Sequence, residues 1–242
     1  MRYRINLSYN GTNYHGWQLQ PNAVTVQEVL NNSLSMLLKE NIETLGAGRT
    51  DTGVHASYFT AHFDCVTEIS DTEKFVFKLN RFLPKDIAVF DIEKVSEDFN
   101  ARFSAKSRTY KYYIHQKKDV FLNGSSWFYP YKLDVELMNS GCEILKQTTD
   151  FESFCKAGAD NKTTICDLKE AFFVRDGHKI IFTVKADRFL RNMVRALVGT
   201  LTELGTLKMT IKDFAGVITA KNRSKAGQSV PACGLYLVDI EY

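Results

Sequence analysis

A glycine-rich stretch near residue 50 organises the first half of the sequence and reads Gly46-Ala47-Gly48-Arg49-Thr50-Asp51-Thr52-Gly53-Val54-His55-Ala56. Glycine permits positive φ angles and a close approach of the backbone to a ligand. The stretch can therefore present the carboxylate of Asp51 on a tight loop. Its glycine spacing fits neither a phosphate-binding loop nor a dinucleotide-binding fingerprint. On residue types alone, a turn in which Thr50 or Asp51 caps the next element is also open.

The elements around this stretch predict an α+β arrangement. Alternating bulky and polar residues favour strands, whereas a capping box followed by apolar residues at helical spacing favours a helix. We predict strands at Tyr3–Ser8, Ile42–Leu45, Tyr58–Phe63 and Ile87–Val95, and helices that begin at the boxes Thr25–Glu28 and Ser70–Glu73. The order β, α, β, β, α, β resembles a split βαβ unit with an antiparallel sheet.

The segment after the first predicted strand, Tyr9–Trp17, is rich in turn residues and aromatic residues. We interpret it as an exposed loop whose rings can stack on bases. Large aromatic side chains usually pack in the interior, so an aromatic cluster that caps the core stays open as the alternative.

The second half again interleaves strands and helices. The polar and basic segment Asp98–Ser107 is predicted to be a hinge between two domains, 1–103 and 104–242. Asp176-Gly177 is a strong hairpin signal between two strands. We predict strands at Arg108–Ile114, Thr164–Arg175, His178–Ala186 and Gly234–Ile240, and helices at Asp134–Gln147, at Phe189–Leu204 and from Thr210 onward.

The composition is that of an ordinary globular protein. The 242 residues are 44% hydrophobic and 24% charged, and the net charge is only +3, so a nucleic-acid partner requires the basic residues to gather on one surface. The five cysteines are scattered and form no Cys-x-x-Cys pair, which argues against a disulfide framework and a zinc site. With no signal peptide or membrane-spanning apolar run evident, we expect a cytoplasmic protein.

Two further groups of residues are candidates for chemistry. Tyr110 lies in a predicted strand, where an aromatic residue commonly serves cross-strand packing. Arg188, Arg191 and Arg195 recur at i, i+3 and i+7 along the helix predicted around 189–204, so we expect them to share one face. A solvated basic face is the alternative interpretation of these arginines.

Several of these motifs resemble the tRNA pseudouridine synthase A family. The glycine-rich stretch matches the catalytic motif of that family. Further matches are Ala101-Arg102-Phe103-Ser104-Ala105, the strand Arg108-Thr109-Tyr110-Lys111-Tyr112, and Phe189–Arg195; weaker ones are His15–Gln18, Leu83-Pro84 and Pro231–Leu237. The motifs are ordered and spread over nearly the whole chain.

The resemblance implies an enzyme that isomerises uridine to pseudouridine in the anticodon stem-loop of tRNA, at positions 38, 39 and 40. It implies that Asp51 is the catalytic carboxylate, that Arg195 pairs with it, and that Tyr110 lies against the target base. Arg49 would fill the gap that an extruded nucleotide leaves. It implies no metal and no cofactor.

In fold, the resemblance implies two similar α+β halves whose antiparallel or mixed sheets join around a central basic cleft. It also implies a homodimer whose two subunits share one tRNA. The RNA-binding surface is expected to draw on basic side chains, with phosphate contacts that weaken with salt. The candidates for it are Arg4, His55, Lys106, Arg108, Arg188 and Arg191.

Two rival functions use the same residues. A non-catalytic RNA-binding module would explain the aromatic and basic residues, but a carboxylate inside a glycine loop repels phosphate. A hydrolase acting on a nucleoside would normally need a second carboxylate near Asp51, and none is evident in the sequence.

Overall fold

The computed structural model describes residues 1–159 and 162–242. Within them the chain forms a mixed α+β fold, which confirms the predicted fold class. Nine strands are present in this part of the chain: β1 Arg2–Tyr9, β2 Thr44–Gly46, β3 His55–Asp64, β4 Ile87–Val95, β5 Ser107–His115, β6 Trp127–Phe128, β7 Leu168–Asp176, β8 Lys179–Ala186 and β9 Leu235–Glu241.

Five α-helices accompany these strands in the described residues: α1 Val26–Leu38, α2 Thr72–Phe82, α3 Val135–Lys146, α4 Met193–Gly205 and α5 Ile211–Thr219. Their N-termini are capped largely as the sequence predicts. Thr25 accepts the N–H of Glu28 at the start of α1, and Thr210 forms a full capping box with Asp213. For α2 the predicted cap is wrong by one residue, because the side chain of Asp71, not Ser70, accepts the N–H of Lys74.

The chain divides into two compact units. One comprises Met1–Lys106 together with Tyr236–Tyr242, and the other comprises Ser107–Leu235. All residues of the closing strand β9 except Leu235 therefore belong to the first unit. The division into domains 1–103 and 104–242 stays a prediction.

The first unit is built on a sheet with the strand order β4, β1, β3, β9. Neighbouring strands are antiparallel except for β3 and β9, which pair in parallel through His55 and Ala56. The short strand β2 pairs with the later residues of β3, at Ala61, His62 and Phe63. Alternate side chains of β1 point into the core of the unit, since Tyr3, Ile5 and Leu7 are all buried.

The predicted exposed aromatic loop is wrong, and the core-capping alternative is confirmed. Tyr9, Tyr14 and Trp17 are all buried. Trp17 stacks on Phe59 of β3 with ring centroids 4.1 Å apart, and Tyr9 meets the same ring edge-on at 5.6 Å. These rings are therefore packed against the core of the first unit.

The second unit is built on β5, β8 and β7, which pair in that order and antiparallel, with β6 beside β5. The predicted hairpin is confirmed: Gly177, with φ +57°, links β7 to β8. The helix α3 packs against β7 and α4. The core includes Tyr112, Phe182 and Leu197.

The helix predicted at 189–204 begins later than the periodicity indicates. The helix α4 starts at Met193, after Asn192 takes a left-handed conformation with φ +65°. The carbonyl of Arg191 accepts the backbone N–H of Lys156 at 3.0 Å, so tertiary hydrogen bonding competes with helix formation there. Arg188 and Arg191 therefore precede the helix, and the predicted shared face with Arg195 is wrong.

None of the helices in residues 1–159 and 162–242 is both long and apolar enough to span a bilayer.

Candidate active site

The loop that carries Asp51 joins β2 to β3. The N–H of Ala47 bonds to the carbonyl of Thr60 at 2.8 Å where the loop leaves β2. Where the loop enters β3, the N–H of Val54 bonds back to the carbonyl of Asp51 at 3.1 Å and closes a turn. Gly53 occupies this turn with φ +76°, a conformation that side-chain-bearing residues rarely adopt. The short loop that carries Asp51 is thus held at both of its ends.

The segment that precedes α1 supports this loop from one side. The N–H of Gly53 donates to the carbonyl of Tyr14 at 3.2 Å. Gly16, with φ +87°, lies so close to the loop that a Cβ there would stand 2.2 Å from the carbonyl oxygen of Thr50. The glycine at position 16 is therefore required by both its backbone conformation and its contact.

The side chains of the loop point to different environments. Thr50 is buried, and its hydroxyl hydrogen-bonds the hydroxyl of Tyr9 at 2.9 Å. Asp51 is half-buried, whereas Arg49 and Thr52 are exposed. The alternation anchors one residue in the core and leaves its neighbours at the surface, where a substrate can reach them.

His55 has a supporting position. It is only 1% exposed, its Nδ1 accepts the N–H of Gly11 at 3.1 Å, and its ring stacks on Tyr236 at 4.5 Å. Sequence reasoning placed it among the RNA contacts. Because so little of the side chain meets solvent, His55 is suited to hold the loop and not to contact RNA.

An open groove of about 740 Å³ runs along the first unit beside the loop. Gly48 and Arg49 form part of its wall. Arg2, His62 and Asp64 line another part, and Asn100, Arg102 and Phe103 line a third. Sequence reasoning assigned no role to Arg102 and Phe103, although it singled out the five-residue motif that contains them.

In the second unit, Tyr110 lies on β5 opposite Val184 of β8. It is half-buried, and Phe189 meets its ring edge-on with centroids 5.1 Å apart. Two of the motifs that carry the family resemblance therefore meet at this pair of rings. Nearby on the same strand, burial raises the pKa of Tyr112 above its usual range.

Arg195 lies in the first turn of α4 and is half-buried. Its Nε donates to the carbonyl of Val230 at 2.7 Å, and its own carbonyl accepts the N–H of Val230 at 3.3 Å. The two bonds tie the arginine to the segment before β9 and orient its guanidinium.

The remaining basic candidates have different surroundings. Nη1 of Arg108 donates to the carbonyl of Asp187 at 2.8 Å, and Nζ of the exposed Lys106 donates to the carbonyl of Tyr242 at 3.1 Å. Arg191 is exposed and Arg188 is half-buried. Arg4 forms an ion pair with Glu93 on the neighbouring strand β4.

No metal-binding cluster of three or more His, Cys, Asp or Glu side chains occurs in the part of the chain that the structure describes. The five cysteines are free thiols, and burial raises the pKa of Cys142 and of Cys166 to about 12. These two thiols therefore stay protonated near neutral pH.

Comparison with known proteins identifies the class to which this fold and loop belong. A family model described as tRNA pseudouridine synthase matches residues 6–104 and 145–242. The chain belongs to the tRNA pseudouridine synthase family, and it is accordingly an isomerase that converts uridine in tRNA to pseudouridine.

Individual relatives resemble the chain over nearly its full length, and each is named tRNA pseudouridine synthase A. One from Parabacteroides distasonis is 50% identical over 241 residues, which cover 100% of this chain and 96% of the relative. One from Bacteroides fragilis is 48% identical over 242 residues, with 100% and 96% covered. One from Caldicellulosiruptor bescii is 40% identical over 240 residues, with 98% of each chain covered.

Proposed function

We propose that this enzyme acts on the anticodon stem-loop of tRNA, at positions 38 to 40, with Asp51 as its essential catalytic group. The observation that carries the proposal is the half-buried carboxylate of Asp51 on a loop whose backbone is held by Thr60, Tyr14 and Gly16. Such support keeps a reactive side chain in one geometry, which is what positioning in catalysis requires. The exposed Arg49 beside it borders a groove.

The isomerisation replaces one bond between base and sugar with another. The bond from C1′ to N1 of uracil breaks, the base turns, and C1′ bonds to C5. The proton of C5 then leaves, and N1 carries a proton in the product. In our proposal Asp51 acts as an unprotonated carboxylate, as nucleophile or as base. Tyr110 lies against the uracil and helps to move the C5 proton.

Arg195 and Arg49 complete the proposed site. A guanidinium can hold a carboxylate ionised and oriented through paired hydrogen bonds, and we assign this role to Arg195 toward Asp51. Chemistry on a stacked base requires the nucleotide to leave the helix, and we assign Arg49 to the space that it vacates. Both assignments rest on the motif resemblance and on the side-chain chemistry.

For the rest of the RNA we propose phosphate contacts from Lys106, Arg108, Arg188 and Arg191. We further propose a cytoplasmic homodimer that binds one tRNA. Phosphate contacts release counterions, so binding is expected to weaken with salt. Light scattering of the protein with and without tRNA measures the mass of the complex, and a single chain bound to one tRNA would contradict the dimer.

The chemistry is tested with tRNA tritiated at C5 of uracil, because isomerisation releases this tritium to water. We expect Asp51→Asn to reduce the release at least about 10³-fold and to leave tRNA binding nearly unchanged. Asp71→Asn is the matched control and should stay close to wild type, because Asp71 is exposed at the start of α2 and asparagine can keep its capping bond. Appreciable turnover by Asp51→Asn would contradict the assignment.

Two further measurements separate the rival functions and test the target positions. A hydrolase would release free uracil, whereas the isomerase leaves the base attached to the sugar. Mapping of pseudouridine at single-base resolution in tRNA from cells that lack the protein should show a loss at positions 38 to 40. A loss elsewhere in the tRNA would contradict the proposed target while leaving the isomerase intact.

A further inference from the structure

Two segments of the first unit have no part in the proposed chemistry, although the sequence singles them out. One is Gly11–Gly16, which belongs to the predicted aromatic loop between β1 and α1. The other is Leu83-Pro84, where the chain turns from α2 into β4. The N–H of Ile87 closes this turn by donating to the carbonyl of Pro84 at 3.1 Å, and Asp86 lies inside the turn.

Asp86 binds the first of these segments with both its carboxylate and its backbone. Its Oδ1 accepts the hydroxyl of Tyr14 at 2.6 Å, and its Oδ2 accepts the side-chain amide of Asn13 at 3.1 Å. The carbonyl of Asp86 accepts the N–H of Asn10, directly before the segment, at 2.8 Å. Both carboxylate oxygens thus bind one short stretch of chain that is distant in the sequence.

The bond between Tyr14 and Asp86 is the one whose loss burial makes costly. Tyr14 is only 5% exposed, and a hydroxyl in such a position needs an acceptor. Burial and the bond to Asp86 raise the pKa of Tyr14, so its hydroxyl stays protonated and donates at neutral pH. A charged acceptor makes a stronger hydrogen bond than a neutral one. The carboxylate therefore fixes the position of Tyr14.

The segment Gly11–Gly16 in turn touches the loop that carries Asp51 at three points. The carbonyl of Tyr14 accepts the N–H of Gly53 at 3.2 Å. Gly11 and Gly16 lie against carbonyl oxygens on either side of Asp51, so closely that neither position leaves room for a Cβ. Because these points fall both before and after Asp51 in the chain, a shift of the segment is passed to both ends of the loop.

We propose that Asp86 is a positioning residue for the reaction: through Tyr14 it holds the segment Gly11–Gly16, and through that segment it fixes the carboxylate of Asp51. A reactive side chain needs neighbours that hold it within about 0.5 Å of its productive position. Loss of Asp86 should therefore slow turnover without weakening tRNA binding. This inference rests on the proposed function, since it takes Asp51 as the catalytic group.

The test compares two buried tyrosine hydroxyls of the first unit. Tyr14→Phe removes the donor to Asp86. Tyr3→Phe removes the acceptor of the N–H of Ile69, and Tyr3 pairs with Phe63, at the opposite end of β3 from the loop. Since Tyr3 is only 1% exposed, we expect both substitutions to lower the free energy of unfolding by a similar amount. A difference in turnover between them then reports the position of the loop.

Turnover is followed by tritium release at saturating tRNA. Tyr14→Phe should lower kcat about 10-fold and keep KM within about 2-fold of wild type, because a displacement of about 1 Å costs up to 10²-fold and the backbone contacts of the segment remain. Tyr3→Phe should keep both values near wild type. Equal kcat values in the two variants would overturn the proposal.

The carboxylate is tested with Asp86→Asn and Asp86→Ala. Asparagine keeps an acceptor for Tyr14, and the amide of Asn13 can turn its oxygen toward the new nitrogen, so kcat should stay within about 3-fold of wild type. Alanine removes both acceptors and should lower kcat as much as Tyr14→Phe does. Equal losses in the asparagine and alanine variants would contradict the role of the hydrogen bond.

A double variant tests whether Asp86 acts through Tyr14. Tyr14→Phe combined with Asp86→Ala should be no slower than Asp86→Ala alone, because both substitutions remove the same link. Losses that multiply in the double variant would show that Asp86 acts by another route, and the proposal would fail.

The movement of the loop is measured without catalysis. Hydrogen exchange at the amide of Gly53, followed by NMR, should become roughly 5-fold faster in Tyr14→Phe and stay unchanged in Tyr3→Phe, because that N–H donates to the carbonyl of Tyr14. Unchanged exchange in both variants would overturn the proposal. Turnover by Asp51→Asn would contradict the catalytic carboxylate and leave the exchange result in place, so the two failures are distinguishable.

Discussion

The loop that carries Asp51 and the helix turn that carries Arg195 are held in different ways. The loop takes its shape from remote backbone, because Gly53 bonds to Tyr14 and Gly16 lies against the carbonyl of Thr50. Arg195 belongs to a regular helix and also bonds to Val230, through its Nε to the carbonyl and through its own carbonyl to the N–H.

The difference shows where each part of the proposed site is vulnerable. A helix turn is maintained by its own hydrogen bonds, so substitutions elsewhere affect Arg195 little. The loop depends on residues far from it in the sequence, and one of them, Gly16, leaves no room for a side chain. We therefore expect the carboxylate to be the easier of the two groups to displace from a distance.

Among substitutions that test how the loop and the helix turn are held, Gly16→Ala has the largest expected effect. A Cβ at this position meets the carbonyl oxygen of Thr50 at 2.2 Å on a backbone with φ +87°. We expect the free energy of unfolding to fall by about 3 kcal/mol, because strain and clash add. Urea denaturation measures the loss, and tritium release should fall more than the folded fraction does.

Gly48→Ala is the matched control for this substitution. Gly48 lies in the same loop, and a Cβ there would meet nothing within 4 Å. Its unfolding free energy should change by less than about 0.5 kcal/mol, as for an ordinary surface substitution. If Gly16→Ala were as stable as Gly48→Ala, the close contact with Thr50 would not be what holds the loop.

Arg195→Met is expected to have the next largest effect. Loss of a charge-assisted contact with the carboxylate should lower kcat/KM about 30-fold, or roughly 2 kcal/mol. The loss should appear in kcat and leave tRNA affinity nearly unchanged, because we assign Arg195 to the carboxylate and not to a phosphate. Arg191→Met is the control, since loss of a phosphate contact weakens tRNA binding and lowers its salt dependence while kcat stays near wild type. An unchanged kcat in Arg195→Met would remove the pairing from the proposal.

Tyr9→Phe should have a smaller effect on the loop. It removes the hydrogen bond between two buried hydroxyls, those of Tyr9 and Thr50, which are 2.9 Å apart. The expected cost is about 1 kcal/mol of unfolding free energy. A cycle with Thr50→Val tests the coupling, because the double variant should lose clearly less than the sum of the single losses. Additive losses would mean that the bond does not stabilise the loop.

Local patterns predicted the parts of the structure that local interactions decide. The hairpin at Asp176-Gly177 and the helix α3 follow from neighbouring residues and are confirmed. The predicted start of the helix α4 is wrong because the carbonyl of Arg191 accepts the backbone N–H of Lys156. The periodicity of the sequence gives no sign of this contact between distant residues.

In the candidate site, too, the sequence predicts what local interactions decide and misses what distant contacts decide. The motif around Asp51 marks the loop, but nothing near it in the sequence indicates that Gly16 and Tyr9 support it from more than thirty residues away. His55 is part of the motif as well, yet the structure buries it against Tyr236. A motif identifies residues that act together without separating those that face the substrate from those that hold the loop.

The smallest expected effect is a pH dependence of the groove wall at His62. Burial and nearby Arg2 lower its pKa below the ordinary value of 6.5, and its neutral Nδ1 accepts the N–H of Ala101. Below about pH 6.5 the unfolded chain binds this proton before the folded chain does. The free energy of unfolding should therefore decrease as the pH falls from there through the lower folded-state pKa, by less than about 1.4 kcal/mol per pH unit.

His62→Asn keeps an acceptor for the N–H of Ala101 and removes the titrating imidazole. In urea denaturation, the free energy of unfolding of this variant should therefore decrease less between pH 7 and pH 5 than that of the wild type. Burial also lowers the pKa of His115, which therefore contributes in the same direction from the second unit. His115→Asn is the control for location: hydrogen exchange at the amide of Ala101 at pH 5 should slow, relative to wild type, in His62→Asn and not in His115→Asn, because the ring of His62 accepts that N–H. If both variants slow the exchange equally, His62 does not control that bond.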